Sequence, residues 1–137
     1  ASAAYNIIGA TAMTVVSDGT VRAGSGGTRG FAGILANPEI QALFGSSGVP
    51  LNPSLTLTNG VVAACVTMGR IFVTLPAAAN IGDLVVYDNT TGALSTVAPG
   101  AALPVGKTFA QAQVIRYTLT VAGVAVIEID PSLIAPV

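Results

Sequence analysis

An all-β fold, a small barrel or sandwich, is predicted by three observations. Apolar and polar residues alternate with a period of two from residue 54 onward. Gly, Asn and Pro interrupt the chain at short intervals, and Val and Thr supply the β-branched side chains that pleated sheets accommodate. The length, 137 residues, suits one domain. The expected organisation is an N-terminal arm over 1–11, a single β-rich domain over 12–130 carrying one short helix at about 38–44, and a C-terminal arm over 131–137.

The elements follow in order. Residues 1–11 are rich in Ala, with Tyr5, Ile7 and Ile8 as apolar points and no helical period, which predicts an extended arm. Met13-Thr14-Val15-Val16 and Thr20-Val21-Arg22 flank Ser17-Asp18-Gly19, the pattern of a hairpin about a Gly-containing turn. A Gly-rich loop over 24–30 leads to a short strand over 31–35. Asn37, Pro38 and Glu39 then give the N-cap, first position and acidic first turn of a helix. Ile40, Leu43 and Phe44 form its apolar face, and Gly45 ends it. Residues 45–53 read as a loop.

Leu55 and Leu57 alternate with Thr56 and Thr58, and Ile71, Val73 and Leu75 alternate with Arg70, Phe72 and Thr74. Such alternation sends one row to a core and the other outward. Residues 84–87 are a wholly apolar strand, and 88–92 are its turn. The clearest alternation sets Ile115, Tyr117, Leu119 and Val121 against Arg116, Thr118 and Thr120. Ala122-Gly123 predicts a tight hairpin to a last strand, where Ile127 and Ile129 oppose Glu128 and Asp130. Residues 131–137, with Leu133 and Ile134, read as the second arm.

Charge is the most informative property. Only 8% of residues are charged, against roughly 25% in ordinary globular chains, so the surface does little to repel a neighbour. Arg22, Arg29, Arg70, Lys107 and Arg116 stand against Asp18, Glu39, Asp83, Asp88, Glu128 and Asp130, leaving a net charge of −1. Much of the exterior is therefore expected to be covered by other protein. No basic patch offers phosphates a partner, so nucleic acid is not expected. Apolar runs are too short for a membrane helix, and the absence of Trp, with scattered Tyr and Phe, argues against an outer-membrane barrel. No basic segment precedes an apolar one in the manner of a signal peptide. Cys65 is alone, so no internal disulfide forms, and its apolar setting predicts an inert, buried thiol.

Catalytic constellations are missing. There is no His, which removes the usual general base and the commonest metal ligand. Gly106-Lys107-Thr108 has the ending of a phosphate-binding loop, but Ala101 stands where its first Gly belongs and Pro104 lies within the would-be cradle. Gly24, Gly26 and Gly30 miss the dinucleotide-loop spacing. Glu128 and Asp130 share a strand face about 6–7 Å apart, the arrangement of a solvated face as much as of a carboxylate pair. No enzyme activity, cofactor or metal is expected.

Several blocks carry a resemblance: Arg29-Gly30-Phe31-Ala32-Gly33-Ile34-Leu35-Ala36-Asn37-Pro38, Ser54-Leu55-Thr56-Leu57, and Met68-Gly69-Arg70-Ile71-Phe72-Val73. The last leads into Ile81-Gly82-Asp83-Leu84-Val85-Val86-Tyr87, Thr91-Gly92-Ala93-Leu94 and Pro104-Val105-Gly106-Lys107. In order and spacing, from about 29 to 130, the chain resembles the structural cement, or head-decoration, proteins of tailed bacteriophages. The resemblance implies a non-catalytic β-rich subunit on the outer surface of the virion capsid, made in the bacterial cytoplasm. It also implies bridging of major capsid proteins and association with copies of itself, a trimer being favoured over a dimer. Tyr5, Ile7, Ile8, Leu133 and Ile134, chosen by composition alone, are the expected interface anchors. The competing reading is a secreted or fibre-type β-rich binding module.

Overall fold

The computed structural model describes residues 6–24, 30–36, 57, 59–60 and 62–132. Among these residues the secondary structure is all β. The strands are β1 (Ala12–Val15), β2 (Val21–Ala23), β3 (Phe31–Ala36), β4 (Ala64–Val66), β5 (Gly69–Leu75), β6 (Leu84–Asp88), β7 (Leu94–Val97), β8 (Lys107–Arg116) and β9 (Gly123–Ile129). They form a four-stranded sheet, β2-β1-β3-β4, and a five-stranded sheet, β5-β9-β8-β6-β7, antiparallel throughout. The sheets face each other as a sandwich and do not close into a barrel. The expected helix at 38–44 and Leu55 lie outside the described residues.

The main core fills the space between the sheets. Val73 and Leu75 of β5, Ala125, Ile127 and Ile129 of β9, and Val85 and Tyr87 of β6 meet Ala12 of β1 and Ile34 of β3. Phe31 stacks on Tyr87 across the gap, with ring centroids 5.7 Å apart. The alternation expected in β5 is observed: Ile71, Val73 and Leu75 turn inward while Arg70, Phe72 and Thr74 are exposed.

The four-stranded sheet is apolar on its other face too. Met13, Ala23, Leu35 and Leu57 form a second buried cluster, with Ile8, Ala63 and Cys65 packed against it. This explains why β3 reads as a continuous apolar run. Adjacent Ile34 and Leu35 serve opposite faces, and both are fully buried.

The chain joins the layers at residues 9–12. Gly9 N–H donates to Leu35 O (2.8 Å) and Gly9 O accepts from Thr74 N–H (2.9 Å), linking β3 to edge strand β5. Thr11 bridges Ala93, beside the other edge strand, β7. Close by, Ala12 N–H donates to Gly92 O and Gly24 N–H to Ala12 O. Gly92 has φ 75°, and a Cβ there would sit 2.5 Å from Ala12 O and 2.6 Å from Gly24 N, so only Gly fits this crossing.

One expectation is corrected. The strand read from Ile115 to Val121 ends at Arg116, and the buried row of β8 is Ala110, Ala112 and Val114. Two irregularities cause the difference. Gln111 adopts φ 53°, and the pairing with β9 shifts between Val114 and Arg116. Tyr117 then takes left-handed backbone (φ 66°), which stops the strand. The connection to β9 therefore spans 117–122 and is not a two-residue hairpin. Within it Leu119 bridges Ala79, while Val121 is exposed.

Candidate functional site

The expected anchors fall in different places. Tyr5, Leu133 and Ile134 lie outside the described residues. Ile8 packs against the second apolar cluster. Ile7 is 40% exposed and lines an apolar groove of about 230 Å³ with Ala10, Thr74, Pro76, Ala93 and Leu94. Asn6, which sequence reasoning passed over, is tied into the fold. Its O accepts from Leu57 N–H (2.9 Å), and its Nδ2 donates to Leu57 O (3.2 Å) and Asn59 Oδ1 (3.0 Å). No sequence signal connects residues 51 apart in this way.

Groups that elsewhere do chemistry are engaged in structural contacts. Lys107 Nζ donates to Ser95 Oγ (2.8 Å), and Thr108 Oγ1 donates to Asn89 Oδ1, so the Gly-Lys-Thr segment opens β8 and clasps β7 and the β6–β7 turn. Glu128 accepts from Arg70 Nε (2.9 Å), whereas Asp130 Oδ1 caps the turn at Ser132. The two acids are thus engaged by different partners. Asp83 accepts from Asn80 N–H. Asp88 Oδ1 accepts from the amides of Thr91 (2.9 Å) and Thr90 (2.8 Å), which hold its carboxyl below the ordinary 3.8. Asp18 and Asp130 are lowered in the same way by bonds from Thr20 and Ser132. A catalytic acid needs the opposite perturbation. Burial pushes the Cys65 thiol up, away from the reactive thiolate. Among the described residues no cluster of His, Cys, Asp and Glu could hold a metal.

What remains is surface. Phe72, Val124, Tyr117, Val121, Ile81, Met68 and Val62 are each more than half exposed. Phe72 and Val124 lie on the outer face of the β5–β9 pair, since their partners are Val126 and Thr74. Sequence reasoning placed Phe72 correctly on the outer row of β5 but gave it no role. Its significance comes from the apolar neighbours supplied by β9, which only the register reveals.

A family model described as structural cement protein (E217 gp24/Pam3 gp6) matches residues 1–130. A search of curated proteins found no match.

Proposed function

The chain belongs to the structural cement protein family, and on that premise we propose that it binds the outside of an assembled phage head and bridges neighbouring major capsid proteins. Its role is structural, in the phage capsid. The observation that carries the finer reading is an exterior with large exposed apolar side chains and only 8% charged residues in the chain. Such a surface suits lasting protein contact. A subunit that recognises a junction present only in the finished shell stabilises that shell by linkage, because its binding free energy is lost when capsomers part. Several weak contacts to different capsid proteins act together through high effective concentration. Association with further copies of itself and synthesis in the host cytoplasm belong to the same reading.

The arms are proposed to add contacts through Tyr5, Leu133 and Ile134, with Ile7 at the margin of the body. The test is co-sedimentation of the purified chain with expanded shells that lack it, and with unexpanded shells. Saturable binding to expanded shells alone supports the reading. No binding to either contradicts it. Removing residues 1–5, a cut that spares Asn6 and Ile8, should weaken attachment; undiminished attachment would remove the N-terminal arm from the interface.

A further inference from the structure

The chain contains asparagine at positions 6, 37, 52, 59, 80 and 89, and the residue that follows separates one of them from the rest. An asparagine amide is attacked at Cγ by the main-chain nitrogen of the next residue, so that residue decides whether a ring can close. Asn37 and Asn52 precede Pro, whose nitrogen carries no hydrogen. Asn6 and Asn80 precede Ile and Asn89 precedes Thr, whose branched Cβ crowds the approach. Asn59 alone precedes Gly. Asn59 and Gly60 are both exposed and lie in a turn. Gly60 has φ 82°, with nothing within 4 Å of where a Cβ would stand, and its N–H bonds to no described residue. Asn59 also takes part in a clasp. Asn6 Nδ2 donates to Asn59 Oδ1 (3.0 Å) and Leu57 O (3.2 Å), while Leu57 N–H donates to Asn6 O (2.9 Å).

We propose that Asn59–Gly60 is a self-modification site, where succinimide formation and hydrolysis turn Asn59 into aspartate and isoaspartate, and that the isoaspartate opens the clasp on Asn6. Base removes the Gly60 N–H proton, the nitrogen bonds to Asn59 Cγ, and the Cγ–Nδ2 bond breaks with release of ammonia. Water then opens the ring. Cleavage of the new N–Cγ bond gives aspartate; cleavage of the original peptide C–N bond gives isoaspartate. One water is consumed and one ammonia released, and no oxidant or other reactant is needed. Either product adds one negative charge to a chain of net charge −1, a change that ion exchange resolves. Aspartate keeps a side-chain oxygen where Asn6 finds its acceptor. Isoaspartate routes the main chain through Cβ and Cγ, adding one carbon, and leaves its carboxylate on Cα, so that acceptor is displaced. Asp18–Gly19, lining the same cavity as Asn59 and Gly60, serves as an internal control. Asp18 Oδ1 accepts from Thr20 N–H (2.9 Å) and Thr20 Oγ1 (2.6 Å), bonds that favour the ionised carboxylate, and a carboxylate resists this attack. The chemistry does not depend on capsid binding.

The test incubates the full chain at mildly alkaline pH and follows it by ion exchange, peptide mass mapping and isoaspartyl methyltransferase labelling. Asn59 should convert ahead of every other asparagine and ahead of Asp18. Gly60→Ala should slow conversion about tenfold or more, because the added Cβ obstructs the attacking nitrogen. Asn59→Gln, which would have to close a larger ring, should stop it, and this variant carries the comparison if Gly60→Ala disturbs the circular dichroism. Hydrogen exchange reads the clasp: protection of the Leu57 N–H should fall about tenfold or more in the isoaspartyl fraction and persist in Asn59→Asp. Conversion of another asparagine first, or modification of Asn59→Gln at the wild-type rate, would overturn the site. Unchanged Leu57 protection in the isoaspartyl fraction would overturn the opening of the clasp. Equal loss of protection in Asn59→Asp would overturn the role given to the added carbon.

Discussion

The two sheets divide the work differently. The four-stranded sheet is short-stranded and apolar on both faces, with Ile34 committed to the main core and Leu35 to the second cluster. The five-stranded sheet is longer; besides its inner face it buries Val86, Phe109 and Val126 on the other side, and it leaves Phe72 and Val124 exposed toward its β5 edge. One sheet is covered on both faces; the other is covered on both over β6 and β8 and open only beside its β5 edge.

The largest expected effect lies in the shared core. Ile127 is fully buried on β9, between β5 and β8, and Ile127→Ala should cost about 4 kcal/mol in urea unfolding. Leu35→Ala, in the smaller cluster, should cost about 3 kcal/mol, because its few neighbours can close part of the cavity. Reversal of that order would mean that the second cluster, not the inter-sheet core, dominates stability.

Next comes the crossing between the layers. Gly92→Ala adds a left-handed Cβ against Ala12 and Gly24 backbone and should cost about 3 kcal/mol. Gly106→Ala, with φ 79° and open space around its Cβ, should cost about 1 kcal/mol. Equal losses in the two thermal melts would show that the Gly92 contact is not rigid.

The smallest effect is acid sensitivity. Asp18, Asp88 and Asp130 are lowered by hydrogen bonds in the folded chain, so the unfolded chain binds their protons more readily. Their contribution is complete above the ordinary carboxylate value and is lost as pH falls through the lowered folded values. With no His, the urea midpoint should be flat between about pH 8 and 5 and decline below about pH 4. A decline between pH 7 and 5 would require a group other than these three.

Most of this architecture is legible in the sequence where the ladder is regular. The β1–β2 hairpin, the inward row of β5, and β6 with its Asp88–Gly92 turn follow from alternation and turn residues. β8 is not legible because its buried row is Ala110, Ala112 and Val114, whose two Ala give a weak hydrophobic signal, and because Gln111 and the shift after Val114 break the period. The exposed apolar surface is less legible still. Composition points to the termini; of the residues it selects there, Ile8 packs on the second apolar cluster and Ile7 stays 40% exposed. The patch around Phe72 exists only because β9, some 50 residues later, is its neighbour.

The most direct measurement is the temperature at which DNA-filled heads lacking this protein release their DNA, recorded as purified chain is added. A cement subunit raises that temperature with concentration until its sites are filled, as linkage requires. A release temperature unchanged at saturating occupancy would contradict a shell-stabilising role.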